Sequence, residues 1–175
     1  NIIGTVNLLN SLRSLRKECV AVLITSDKAY KNEEIVWGYR ETDTLGGEDP
    51  YSASKGAAEL MIHSFRASFF PKNHFVRVGI ARAGNVIGGG DWAPDRLVPD
   101  AIRSFGSSEV LSIRNPHAIR PWQHVLDPLS GYLKLAEALC KNGSEFSGAS
   151  EKSRTSFWIW SSAGANRSSK RSIIC

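Results

Sequence analysis

Tyr51 and Lys55 stand four residues apart in the stretch YSASK, at the start of a segment with helical periodicity. At that spacing the two side chains share one helix face. A phenol titrates near ~10 and is a poor base at neutral pH, but an ammonium beside it favours the phenolate and lowers that value. The pair is therefore suited to take the proton from a sugar or steroid hydroxyl while hydride leaves the carbon. An ordinary i,i+4 pair on an exposed helix is the plain alternative, and spacing alone does not separate the two. Ser26 adds a third group, directly after the apolar run VAVLIT (20–25) and 25 residues before Tyr51. In open α/β sheets ligands sit at the carboxyl ends of strands. A hydroxyl there could hydrogen-bond the oxygen that Tyr51 deprotonates.

The elements that would position these groups follow from periodicity. Ile2, Ile3, Val6, Leu9, Leu12 and Leu15 predict a helix over 1–18, with Arg13, Arg16 and Lys17 in its last turns. The β-branched run 20–25 predicts a strand buried on both faces, as in a parallel sheet. A polar loop (26–50) ends in GGEDP, and Ala57, Leu60, Met61, Phe65 and Phe69 give the segment 51–70 one apolar helix face. HFVRVGIAR (74–82) reads as the next strand, and helix–strand–helix–strand in series argues α/β with right-handed crossovers. Beyond it, Gly88–Gly90 form a loop and Asp95 to Phe105 a helix. VLSI (110–113) and WQHV (122–125) read as short strands. A last helix spans 127–141, with Asp127 as its N-cap and Pro128 at its first position. The Ser-rich segment 150–175 has no sustained period and reads as a disordered tail rather than an element of the fold.

Bulk properties narrow the classes. The chain has 175 residues, 42% hydrophobic and 22% charged, enough for one ordinary domain with a real core. No apolar stretch approaches the ~20 residues of a membrane span, and no basic-then-apolar leader opens the sequence. Cys19, Cys140 and Cys175 are odd in number and far apart, which suits a reducing cytosol better than a disulfide framework. The four histidines have no metal-ligand spacing, so no metal site is expected. The net charge of +5 sits mostly in the tail, where five Lys/Arg face one Glu over 150–175. The body is then nearly neutral and lacks the clustered basic face of a nucleic-acid binder.

Four segments, TSDKAY, PYSASKGAAEL, RAGNVIGGGDW and RPWQHVLDPLSGYL, occur in an order that resembles the extended short-chain dehydrogenase/reductase family over residues 1–148. The likeness is nearest to its 4,6-dehydratase branch acting on CDP-sugars. It implies a partial Rossmann-like, doubly wound parallel sheet (1–82) that is the C-terminal part of a NAD-binding domain. A mixed remainder with nucleotide-sugar-binding segments (83–149) would follow, then the atypical tail (150–175). By the same resemblance Tyr51 is the base for the sugar 4-hydroxyl, Lys55 lowers its pKa and binds the nicotinamide ribose of NAD, and Ser26 holds the oxygen at C4. Asp27, protonated, donates to the departing 6-hydroxyl and Lys28, neutral, takes the C5 proton. Related dTDP-glucose dehydratases have Asp-Glu at these two positions, so Lys28 favours CDP-glucose as substrate. Asn85, Arg96 and Arg120 are the implied phosphate partners, since guanidinium matches phosphate oxygens in a bidentate way. Trp92 and Trp122 are read as packing residues, and His117 and His124 as structural or rim residues. The product would be a 4-dehydro-6-deoxy sugar nucleotide, a precursor of deoxysugars in surface polysaccharides, made in the cytoplasm by a homodimer.

The family's opening strand–Gly-x-x-Gly-x-x-Gly–helix unit does not occur in this sequence. The sequence begins at what resembles the fourth helix of the family, so 20–25 is expected to form an exposed apolar edge. Residues 150–175 also depart from the family pattern. A truncated or frame-shifted form of a dehydratase is one expectation. An inactive remnant, a non-catalytic fragment complementing a full-length partner, and an epimerase or dehydratase of UDP- or dTDP-sugars are the others.

Overall fold

A computed structural model of the chain describes residues 1–33, 38–71, 73–118, 120–141 and 156–158. Helix α1 (Ile2–Arg13) leads into strand β1 (Cys19–Ile24), and a single 3-10 turn (Asp27–Ala29) follows at the strand's carboxyl end. Helix α2 (Pro50–Phe69) then crosses back to β2 (Val76–Arg82), which pairs in parallel with β1 from Cys19↔Val76 to Ile24↔Ala81. Strand β3 (Asn85–Ile87), α3 (Leu97–Gly106), β4 (Trp122–His124), α4 (Leu126–Lys141) and β5 (Ser156–Trp158) complete the order.

Strand alternation builds a three-layer core. Val76, Val78 and Ile80 of β2 pack with Leu9 and Leu12 of α1 and Ile62 and Phe65 of α2, joined by Cys19, Ala21 and Leu23 of β1. The intervening residues Val20, Val22 and Ala81 face the other way, onto Leu135 and Leu139 of α4. Helices thus cover both faces of a parallel sheet, the doubly wound arrangement expected from the sequence. A second, two-stranded sheet pairs β3 with β4 in parallel, Asn85 opposite Trp122 and Ile87 opposite His124. Gly84 permits this approach, because a Cβ there would lie 2.6 Å from Pro121 Cγ and 3.1 Å from its carbonyl oxygen.

Several expectations are corrected. Both faces of β1 are covered, but no residue of it is fully buried and Ile24 is exposed, because β1 ends the sheet order β1–β2–β5. Residues 110–113 form no strand: Val110 and Ile113 are exposed, and no strand among the described residues pairs with them. Helix α3 starts at Leu97 because Asp95 takes a left-handed backbone (φ 62°), which helical geometry forbids. Helix α4 starts one residue early, so Asp127 lies inside its first turn. His124 Nδ1 instead accepts the N–H of Leu126 at 3.3 Å. Residues 156–158, expected to form no element, pair in parallel with Ile80–Arg82. The expectation for the rest of 150–175 lies outside the described residues. Among the described residues no helix is long and apolar enough to cross a membrane, and no group of side chains could hold a metal ion.

Candidate active site

Ser26, Asp27 and Lys28 meet Tyr51 at the floor of a cleft of about 890 Å³, open between the carboxyl ends of the main strands and the segment 84–122. The turn that carries the first three follows from Ser26. Its extended backbone (φ −151°, ψ 156°) is that of a helix N-cap, and its hydroxyl accepts the N–H of Lys28 at 3.2 Å. The same hydroxyl donates to Asp27 Oδ1 at 2.9 Å. The Asp27 N–H donates to the Ala83 carbonyl at 3.1 Å, tying the turn to the end of β2.

Asp27 is 4% exposed, and its second oxygen, Oδ2, meets no hydrogen-bond donor among the described residues. Burial pushes its carboxyl above the usual range. The Ser26 hydrogen bond and the charges of Lys28 and Arg120 pull the other way without prevailing. The result is a carboxyl group biased by burial towards its protonated form.

Helix α2 presents Tyr51 in its first turn. Asp49 caps it, accepting the N–H groups of Tyr51 at 2.9 Å and Ser52 at 3.0 Å, and Pro50 occupies the first position, where no donor is needed. The Ser52 hydroxyl and amide hold the Asp49 carboxyl below its ordinary value. Tyr51 is 52% exposed, on the cleft. Lys55 is half-buried one turn further on, outside the cleft lining, with Nζ 5.8 Å from the centre of the Tyr51 ring. The pair therefore adjoins as the spacing predicted, with the ammonium over the ring face. Gly56 brings this helix against the 26–30 turn: a Cβ there would stand 3.2 Å from both the Ala29 carbonyl oxygen and the Gly46 nitrogen.

Asn85, Arg96 and Arg120 line the same cleft. Asn85 opens β3, Arg120 immediately precedes Pro121 and β4, and exposed Arg96 precedes α3. All eight predicted residues thus gather around one opening, seven in its wall and Lys55 behind Tyr51. Trp92 and Trp122 are not core packing: they are 59% and 42% exposed and line the cleft, as do Leu97 and Ile102 of α3. His117 is exposed outside the lining, and His124 serves the start of α4.

Sequence reasoning missed what lies under the floor. Glu59 of α2 and Arg82 of β2 form a bidentate ion pair, 0% and 2% exposed, with Nε to Oε1 at 2.7 Å. Thr25 Oγ1 donates to the same Glu59, and Arg82 donates to the Tyr30 hydroxyl. The available signal was a lone acid in the apolar run AAELM and the base that closes the strand VRVGIAR. These are opposite charges on elements predicted to adjoin.

Comparison with known proteins agrees with this geometry. The chain is 56% identical over 151 residues to the CDP-glucose 4,6-dehydratase of Salmonella typhimurium, covering 84% of this chain and 42% of that protein. The chain thus spans about two fifths of the length of this relative. Among solved structures, the UDP-glucuronic acid 4-epimerase of Bacillus cereus, in complex with UDP-glucuronic acid and NAD, superposes with a TM-score of 0.68 at 18% identity, covering 91% of this chain and 45% of the epimerase. A double mutant of the dTDP-glucose 4,6-dehydratase DesIV from Streptomyces venezuelae, with NAD bound, gives 0.66 at 23% identity, covering 79% and 40%. At those identities the structures establish the fold alone. The sequence itself matches the family described as "NAD dependent epimerase/dehydratase family" over residues 1–146. On that match, the 56% identity and the doubly wound sheet that carries Tyr51 and Lys55 beside Ser26, this chain belongs to the NAD-dependent epimerase/dehydratase family of extended short-chain dehydrogenases/reductases.

Proposed function

We propose that this chain carries the catalytic and sugar-binding segment of a CDP-glucose 4,6-dehydratase. The observation that carries the reading is Asp27: a buried carboxyl, its pKa raised by burial, between Ser26 and Lys28 in a cleft shared with Tyr51. An epimerase has no water to expel and no need of a buried acid followed by a base. A dehydratase needs both.

In this reading Tyr51 takes the proton of the sugar 4-hydroxyl, with the Lys55 ammonium beside its ring. Ser26 holds the C4 oxygen. Lys28 is the base that removes the C5 proton, and Asp27 gives its proton to the departing 6-hydroxyl, which leaves as water. Arg96, Arg120 and Asn85 hold the diphosphate. Trp92, Leu97 and Ile102 give the cleft wall its apolar surface.

NAD fits the residues present on its nicotinamide side. A phenol and an ammonium adjoin at the carboxyl end of the sheet, the donor set a ribose hydroxyl pair requires, and Tyr51 is open to the cleft. When bound, NAD supplies the hydride exchange that oxidises C4 and later reduces C6. The residues around its pyrophosphate would come from the Gly-rich unit, which this sequence does not contain. The division at residue 82, a cytoplasmic setting and a homodimer belong to the same proposal. The outer faces of α1 and α2, with exposed Ile3 and Leu60, suit such a subunit contact.

The test is turnover of CDP-glucose, UDP-glucose and dTDP-glucose side by side with added NAD, followed by mass spectrometry for loss of one water. Water loss from CDP-glucose, reduced about 10²–10⁴-fold in Tyr51→Phe, is the expected result. Preference for another nucleotide would overturn the CDP assignment. CDP-glucose binding without product would show that the chain recognises the sugar nucleotide and does not turn it over.

A further inference from the structure

Beneath the cleft lies a buried polar cluster with no path to substrate. Glu59 is fully enclosed, Arg82 is 2% exposed and Tyr30 is 3% exposed. Its members come from every element that carries a candidate catalytic group. Thr25, which donates to Glu59, is the residue before Ser26. Tyr30, which accepts from Arg82, is the residue after the turn that holds Asp27 and Lys28. Glu59 continues the helix face of Tyr51 and Lys55 at the next i+4 step. The Arg82 guanidinium also lies 4.5 Å over the Tyr30 ring, which stacks on Tyr39 with ring centres 5.0 Å apart.

We propose that Glu59 and Arg82 are the positioning residues of this active site, a buried bracket that clamps the Ser26–Asp27–Lys28 turn at both ends and fixes its distance from Tyr51 on α2. Stability alone does not account for the pair. Taking two charges out of water costs about as much as their attraction returns, and apolar replacements of such pairs are often neutral or stabilising. Geometry does account for it. A bidentate guanidinium–carboxylate contact has one arrangement, and here it is locked to both ends of the six-residue segment Thr25–Tyr30. Backbone bonds of Thr25 to Ala81, Asp27 to Ala83 and Gly46 to Ala29, with packing under Gly56, also tie the segment to the fold, but only the bracket joins both of its ends to α2 through side chains.

The proposal rests on the dehydratase reading only for its catalytic readout, so two readouts are taken on the full chain. The first is amide exchange of Ala29, Tyr30 and Gly46, whose N–H groups donate to Ser26, Asp27 and Ala29 carbonyls. The second is turnover. Glu59→Gln leaves an unpaired buried Arg82 and risks misfolding. Thr25→Val therefore tests the same link without removing a charge, and Thr25→Ser keeps the hydroxyl. In Thr25→Val the three turn amides are expected to exchange roughly tenfold faster while Val78 and Ile80 of β2 stay protected. Its kcat is expected to fall about 10- to 100-fold with little change in KM, and Thr25→Ser restores both. Unchanged turn exchange in Thr25→Val, or equal acceleration in β2, would overturn the bracket. If the unmodified chain turns nothing over, exchange still decides the proposal and only the dehydratase reading falls.

Discussion

Asp27 carries a conflict between folding and chemistry. Its carboxyl is enclosed, so folding disfavours the ionised form, and its pKa in the fold is raised by burial against the pull of Ser26, Lys28 and Arg120. For an acid whose folded value exceeds its unfolded one, the folded state binds more protons, and stability falls as pH rises from about 4 through the folded value. Above that window the cost is constant. Asp27→Asn removes the titration. The variant is expected to melt at or above the unmodified chain near neutral pH, with the difference closing as pH is lowered towards about 4. Thermal denaturation across that range checks it, and a stability gap independent of pH would contradict the assignment. The same variant should lose about 10²–10⁴-fold in water elimination, because an amide has no proton to give the leaving oxygen.

At the scale of elements, the site depends on how closely α2 lies against the 26–30 turn. Gly56 sets that approach, and its neighbours there are backbone atoms of Ala29 and Gly46, which cannot swing aside as a side-chain end would. Gly56→Val is expected to cost about 1–3 kcal/mol by overpacking, measured by urea denaturation, and to lower kcat by separating Tyr51 from Ser26. Helix propensity, by which almost any residue improves on glycine, argues the opposite sign, so the measurement discriminates. Much of this element-level arrangement was legible. Tyr51, Lys55 and Ser26 could be placed because strand and helix periods are strong in 20–25 and 51–69. The Gly56 contact was not, because it joins the helix to an aperiodic loop. Glu59 and Arg82 were hidden for a related reason: a buried charge carries no periodic signal of its own, and its meaning lies in a partner 23 residues away. Residues 110–113 misled in the other direction, being apolar and β-branched with no strand among the described residues paired to them.

Across the whole chain, β1 ends the sheet, with β2 on one side. Cys19 and Thr25 donate their N–H groups to Phe75 and Ala81, so alternation turns those of Val20, Val22 and Ile24 outward. Ile24 is exposed on that edge. An uncovered apolar edge pairs with whatever strand it meets, so this chain is expected to self-associate with rising concentration. Ile24→Lys is expected to suppress that association in sedimentation velocity while changing stability by only about 0.5 kcal/mol, as surface substitutions do. Unaltered association would place the contact elsewhere. Among the described residues the sheet ends at β1, as the apolar run VAVLIT led us to expect. The pairing of β5 with β2 was not expected, since 156–158 lies in a segment without period and its position depends wholly on the sheet it joins.

The three-residue ladder between β3 and β4 also has a meaning in time. Its partners, Asn85 and Trp122, are far apart along the chain, and the entropy of closing that loop must be met before so short a ladder returns anything. The core of α1, β1, α2 and β2 closes loops that are longer still, Cys19 to Val76 among them, but over six paired residues and a buried apolar cluster that offset the cost. Folding therefore completes the core first and the far wall of the cleft last, and in the folded protein that wall is the first part to come away. A sugar nucleotide bridging Arg120 and Asn85 to the turn at Asp27 would join the last-formed region to the first, acting as the final piece of the fold as well as its cargo.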